Sequence, residues 1–286
     1  MNTARDLLGR LLSLFPVKLL KSEFLETGNA EDVIDAITGN KTQKAIKDFV
    51  YANHDFTRQN IYLFTLNNNF NRGALPAKFP FPTEKDAAVN GEHIFFCLPQ
   101  TTFSVYLSNP TDKEDLLFYQ PVIIRVKNKH LIIQYTKLEK NVNAHYLPAR
   151  EAKKASEDNS EEQTLAQILT FFEHAYTVTP NDINKGIKHL WHIDDLDCHK
   201  ISWRNPHSIS TETMDGTLTF KQKYPAEYKK IILTPISGSI WKYLLNDDYL
   251  CEGFTSDLTA GHISITRFPK LPNQVNNVIT KILANN

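Results

Sequence analysis

Net charge is the first thing this chain lacks: 32 lysines and arginines stand against 32 aspartates and glutamates in 286 residues. That balance removes any argument that the whole molecule is drawn to a polyanion. Cysteine is scarce as well. Cys97, Cys198 and Cys251 are odd in number and far apart, a poor disulfide framework that points to a reducing compartment. Long apolar runs are also missing, since no stretch reaches the roughly 18 residues that a bilayer span needs. The segment from Leu11 to Leu20 is interrupted by Pro16 and Lys18, and no small-residue cleavage pattern follows it. The expectation is an intracellular protein, cytoplasmic or nuclear, with no membrane span. Only ten glycines occur, and neither a Gly-x-Gly-x-x-Gly turn nor a P-loop is among them. No Ser, His and acid can be assigned as a triad, and no internal repeat is visible.

What is present begins with helical periodicity. Leu7, Leu8, Leu11, Leu12 and Phe15 recur at helical spacing opposite Arg5, Asp6 and Arg10, until Pro16 ends the pattern. A second short helix runs through Leu19, Leu20 and Phe24 to Gly28, a residue suited to a left-handed stop. Asn29 reads as an N-cap ahead of Glu31 and Asp32, whose charge favours a helix start. A fourth helix follows from Thr42 through Ile46, Phe49 and Val50. Lys41, Lys44 and Lys47 form a basic stripe on it, diluted by Asp48.

Asn67 to Asn90 is rich in Asn, Pro and Gly and reads as a linker. Strands are expected at 94–98, 103–107, 122–127 and 131–136, with connections short enough to favour antiparallel pairing. Residues 150–163 read as a polar, mobile loop. Residues 164–176 form a helix, and Thr179-Pro180 opens another as cap and first position. Strands at 217–222, 229–234 and 263–268 and helices at 239–246 and 272–283 complete the pattern. The fold class is α+β: a small N-terminal helical bundle followed by a mainly antiparallel sheet domain with packed helices. The domains are 1–66 as a helical interaction module, 67–90 as linker and 91–286 as sheet domain, with a subdivision near 150–163.

Charge is distributed unevenly. Residues 121–154 hold eight basic residues (Arg125, Lys127, Lys129, Lys137, Lys140, Arg150, Lys153 and Lys154) against Glu139 and Glu151, a net +6. Arg125, Lys127 and Lys129 alternate around Asn128 in a hairpin-like segment, and period two puts them on one strand face. That face is the expected nucleic-acid-binding site, with Lys137 and Lys140 next; an exposed strand edge protected by lysine is the plain alternative. The function these residues predict is non-catalytic: a basic sheet face binding nucleic acid or an acidic protein surface, with the helical module docking a protein partner.

Two other readings stand beside it. His189, His192, Cys198 and His199, interleaved with Asp194, Asp195 and Asp197, are the densest set of potential ligands for zinc or another divalent metal. They would serve a metal-dependent hydrolase or nuclease, although the spacing fits no standard finger. A protein-only adaptor or complex subunit is the third reading. The order of elements, four helices, a strand-rich middle with a hairpin, paired helices and a smaller mixed C-terminal part, resembles the centromere protein N family. That resemblance implies a pyrin-like domain followed by a sheet domain that contacts nucleosomes and a partner subunit; it assigns no residue.

Overall fold

The computed structural model describes residues 3–106, 113–138, 153–158, 160–205, 208–213, 218–234, 236–243, 251 and 253–286. In chain order its elements are α1 (Ala4–Leu12), α2 (Val17–Phe24), α3 (Ala30–Asn40), α4 (Gln43–Ala52), β1 (Gln59–Leu66), β2 (Thr83–Val89), β3 (Glu92–Cys97), β4 (Gln100–Tyr106), β5 (Lys113–Tyr119), β6 (Val122–Lys127) and β7 (His130–Thr136). They continue with β8 (Lys153–Asp158), α5 (Glu161–Glu173), β9 (Val178–Pro180), α6 (Asn184–His192), β10 (Leu196–Asn205), β11 (Ser208–Thr213), α7 (Phe220–Lys223), α8 (Pro225–Ile231), β12 (Ile236–Tyr243), β13 (Gly253–Asp257), β14 (His262–Ile265) and α9 (Gln274–Ala284). The class is α+β, with N-terminal helices ahead of mainly antiparallel strands.

The early helices start where side-chain caps allow. Thr3 and Asp6 form a reciprocal capping box at α1, Asn29 and Asp32 do so at α3, and the Thr42 hydroxyl accepts from the Ala45 amide at α4. The left-handed stop after α2 falls on Leu25, at φ 59°, three residues ahead of the expected Gly28.

Two compact units emerge. Met1–Thr57, Asn67–Asn128 and Tyr135–Thr177 make the first, and Arg58–Leu66, Lys129–Gln134 and Val178–Asn286 the second. This grouping differs from the linear division expected from composition. The helices share one apolar core with Ile94, Phe96, Leu98 and Ile123, so the bundle is closed by strands rather than standing alone. The stretch expected as linker contains β2, paired with β3 in register from Thr83↔Cys97 to Val89↔Glu92. Asn90 and Gly91, at φ 50° and 79°, make the tight turn between them, both in the left-handed region that suits such hairpins.

In the first unit β3 lies between β2 and β6 and is covered on both faces. Its even-numbered side chains, Ile94 and Phe96, meet the helices. Phe95 points the other way into an aromatic cluster, 5.0 Å from Phe79 and edge-on to Phe172 of α5. A separate three-stranded sheet runs β5-β4-β8, so part of the expected loop at 150–163 is a strand, and Ser160 then caps α5.

The second unit is a sheet in the order β11-β10-β12-β13-β14-β1-β7, with β9 paired to the far end of β1. Four expectations fail in this unit. Thr179-Pro180 belongs to β9, and α6 begins only at Asn184. Residues 220–223 and 225–231 are the helices α7 and α8, capped by Thr219 and opened by Pro225. Residues 236–243, expected to be helical from 239, form β12 between β10 and β13. Trp241 explains that choice: its indole is buried and donates to Ser256 Oγ at 2.8 Å on the neighbouring strand. Helices α6 and α9 cross closely, since a Cβ on Gly186 would sit 2.3 Å from the Ile282 carbonyl oxygen.

Candidate nucleic-acid interface

Strand β6 sets the geometry of the expected basic face. Val122, Ile124 and Val126 fill one buried side, while Ile123, Arg125 and Lys127 share the other. Ile123 packs into the core beneath the helices, Arg125 is half-buried and Lys127 is exposed. The three residues therefore climb out of the core along one strand. Asn128 then adopts φ 53°, a conformation that asparagine tolerates well, and Lys129 and His130 follow, both exposed.

Arg125 does not stand on an open surface. Its Nε is buried without a hydrogen-bond partner among the described residues, and its guanidinium acts on His54, in the 3₁₀ turn His54–Phe56. Burial first, and the Arg125 charge second, push the His54 imidazole down to about 3, against the pull of the Pro121 carbonyl, which accepts a hydrogen bond from the ring and raises it. Arg125 is thus partly committed to the interior. Lys127 and Lys129 make no ion pair with a described residue, whereas Lys47, Arg72, Lys221 and Lys281 are each held by a carboxylate.

The remaining basic candidates scatter. Lys137 is half-buried and already has a partner within the fold. Lys140 and Arg150 lie outside the described residues, as do the side chains of Lys153 and Lys154. Lys221, expected on a strand, is on α7 and donates to the His192 carbonyl and the Asp194 carboxylate at 2.6 and 2.7 Å. In the α4 stripe, Lys44 is paired with Asp48 and Lys47 with Glu84.

The expected metal ligands are not brought together. His189 and His192 are exposed on α6, and His192 Nδ1 lies 3.3 Å from the Tyr228 hydroxyl. Cys198 is fully buried in the second core, where burial pushes its thiol far above the usual range and opposes the thiolate a metal would need. The His199 side chain lies outside the described residues. Among the described residues no group of three or more His, Cys, Asp or Glu side chains is placed to hold a metal ion.

One charged network was hidden by the linker-like composition of residues 67–90. Asp86 accepts from Arg72 Nη2 at 2.9 Å and faces His93 Nε2 at 2.7 Å. Burial alone would raise the Asp86 carboxyl, but the Arg72 and His93 hydrogen bonds and charges win and hold it below the usual carboxylate range. Arg72 also donates to the Pro76 and Ala77 carbonyls and lies over the rings of Phe95 and Phe171. These donors are consumed by the fold, so the network fastens the 72–77 loop to the β2–β3 hairpin. The Asn90-Gly91 pair was the signal that would have revealed the hairpin.

No protein-family model, no curated protein and no solved structure matches the chain.

Proposed function

We propose that this protein is a non-catalytic binding protein that engages the phosphate backbone of nucleic acid through the exposed lysines on either side of Asn128. The observation that carries this reading is the pair Lys127 and Lys129, exposed and without a carboxylate partner among the described residues. Such cations release counterions from a polyanion and bind it with little sequence preference. Arg125 serves a different role, setting the base of the strand from which Lys127 emerges. The three cysteines, all buried and none in a disulfide, fit a reducing intracellular compartment.

The test is a salt titration with labelled duplex and single-stranded DNA and RNA, using the wild-type chain and Lys127→Glu/Lys129→Glu. The double variant is expected to melt with the wild type, because both side chains are exposed, and to reduce the slope of log K against log salt by about 2. A wild type that binds no nucleic acid at low salt, or a variant with an unchanged slope, refutes the reading. Loss of binding to an acidic protein alone would move the site to that partner class.

A second reading, protein docking by the helical layer, has one specific observation. Leu25 is 88% exposed and held at φ 59°, a backbone region that is unfavourable for leucine. An apolar side chain displayed on a strained cap suits an anchor for a partner protein.

A further inference from the structure

We propose that the solvent face of α6 is a second nucleic-acid contact, formed by Lys185, Lys188, His189 and His192. The inference takes its ligand class from the proposed function and rests on that reading, but it concerns different residues in the second unit.

These positions follow the spacing i, i+3, i+4 and i+7, which places them in one stripe about 10 Å long at 1.5 Å per residue. Lys185, His189 and His192 are exposed and Lys188 is half-buried, while Asn184, Gly186, Ile187, Leu190 and Trp191 turn inward. No acidic residue lies within the helix.

The carboxylates around the stripe each accept hydrogen bonds, two from neutral groups and two from lysines. Asp182 accepts from the Asn184 amide and side chain at 2.9 and 2.7 Å. Asp194 is held by Lys221 at 2.7 Å, Asp195 by Lys281 at 3.0 Å, and Asp197 accepts from the Phe220 amide at 3.0 Å. Neither lysine of the stripe has an ion pair with a described residue, and burial lowers Lys188 below the usual lysine range against the pull of Asp182. Asp182 supplies part of the counter-charge for that half-buried ammonium, and a phosphate would add to it. The imidazoles add hydrogen bonds to phosphate oxygens. Within the stripe every side chain is polar, and Ile193 at its C-terminal end is a single exposed apolar residue, less than an interfacial helix needs, so the chemistry favours a nucleic-acid backbone over a lipid surface.

The experiment compares wild type, Lys185→Glu/His189→Glu and Lys127→Glu/Lys129→Glu for binding to labelled duplex DNA and RNA across a salt series, with thermal melts of each. Both altered α6 residues are exposed, so folding is expected to survive; Lys185→Gln/His189→Gln replaces the first variant if it does not. The α6 variant is expected to bind at least about tenfold more weakly and to lose about 1 from the salt slope, whatever the other variant does. An α6 variant that binds as wild type overturns this inference and leaves the Lys127–Lys129 reading standing. An unchanged Lys127→Glu/Lys129→Glu variant beside a weakened α6 variant does the reverse. A wild type that binds no nucleic acid removes both. An α6 variant that loses affinity only for phosphatidylserine vesicles assigns the stripe to a membrane surface and also overturns it.

Discussion

His54 makes the fold sensitive to acid, and the size of the effect follows from its surroundings. The side chain is 2% exposed, sits in the turn after α4 and lies within the field of Arg125. Burial and that guanidinium lower the imidazole from 6.5 to about 3, so the folded protein leaves His54 neutral where the unfolded chain protonates it. The unfolded state binds the extra proton, and stability must fall as the pH drops. The contribution is fully present above pH 6.5 and is lost progressively down to about 3. At about 1.4 kcal/mol per pH unit, the loss at pH 5 is about 2 kcal/mol and at pH 4.5 about 2.7 kcal/mol. Urea denaturation from pH 7.5 to 4.5 isolates the effect when wild type is compared with His54→Gln, which keeps an amide donor without a titrating ring. The variant starts less stable but loses about 2 kcal/mol less between pH 7.5 and 5. Arg125→Met is expected to raise the folded-state imidazole and so end the acid loss at a higher pH, because one of the two causes of the shift is removed. Parallel stability curves for wild type and His54→Gln would refute the reasoning.

Two further substitutions test the backbone. Gly186→Ala improves helix propensity by roughly 1 kcal/mol, yet its Cβ meets the Ile282 carbonyl at 2.3 Å. The clash should dominate, giving a net loss of about 2 kcal/mol by chemical denaturation; a gain would mean that α6 and α9 can separate freely. Leu25→Gly relieves a left-handed leucine while giving up an exposed side chain, and should raise stability by roughly half a kcal/mol, seen as a higher Tm. A lower Tm would show that Leu25 is packed rather than displayed.

Local chemistry made the first four helices legible. Asn29 is a cap in the sequence and a cap in the structure, where Thr3 and Thr42 cap as well, because a hydroxyl or amide oxygen two or three residues before an orphan N–H needs no distant partner. The C-terminal half was read less well for the opposite reason. Ile231-Ile232-Leu233 is an apolar run opened by two β-branched residues, yet Ile231 closes α8 and Ile232 packs beside the second core. Ser239 to Tyr243 has helical spacing of large residues, yet β10 and β13 recruit it as a central strand. In both stretches long-range pairing overrode local preference, which is the usual limit of period and propensity.

The basic face shows where a correct period still misleads. Alternation rightly places Arg125 and Lys127 on one side of β6, but it places Ile123 there too. An apolar residue two positions before a cation means that something covers the start of that face. Exposure indeed rises along the strand, from 8% at Ile123 through a half-buried Arg125 to an open Lys127. The solvent boundary crosses the strand at Arg125. The proposed anion contact therefore falls to the cations beyond that boundary, while the one at the boundary acts inward on His54. A charge-reversal scan along Arg125, Lys127 and Lys129 should divide accordingly, with Arg125→Glu lowering stability and Lys127→Glu and Lys129→Glu lowering only affinity.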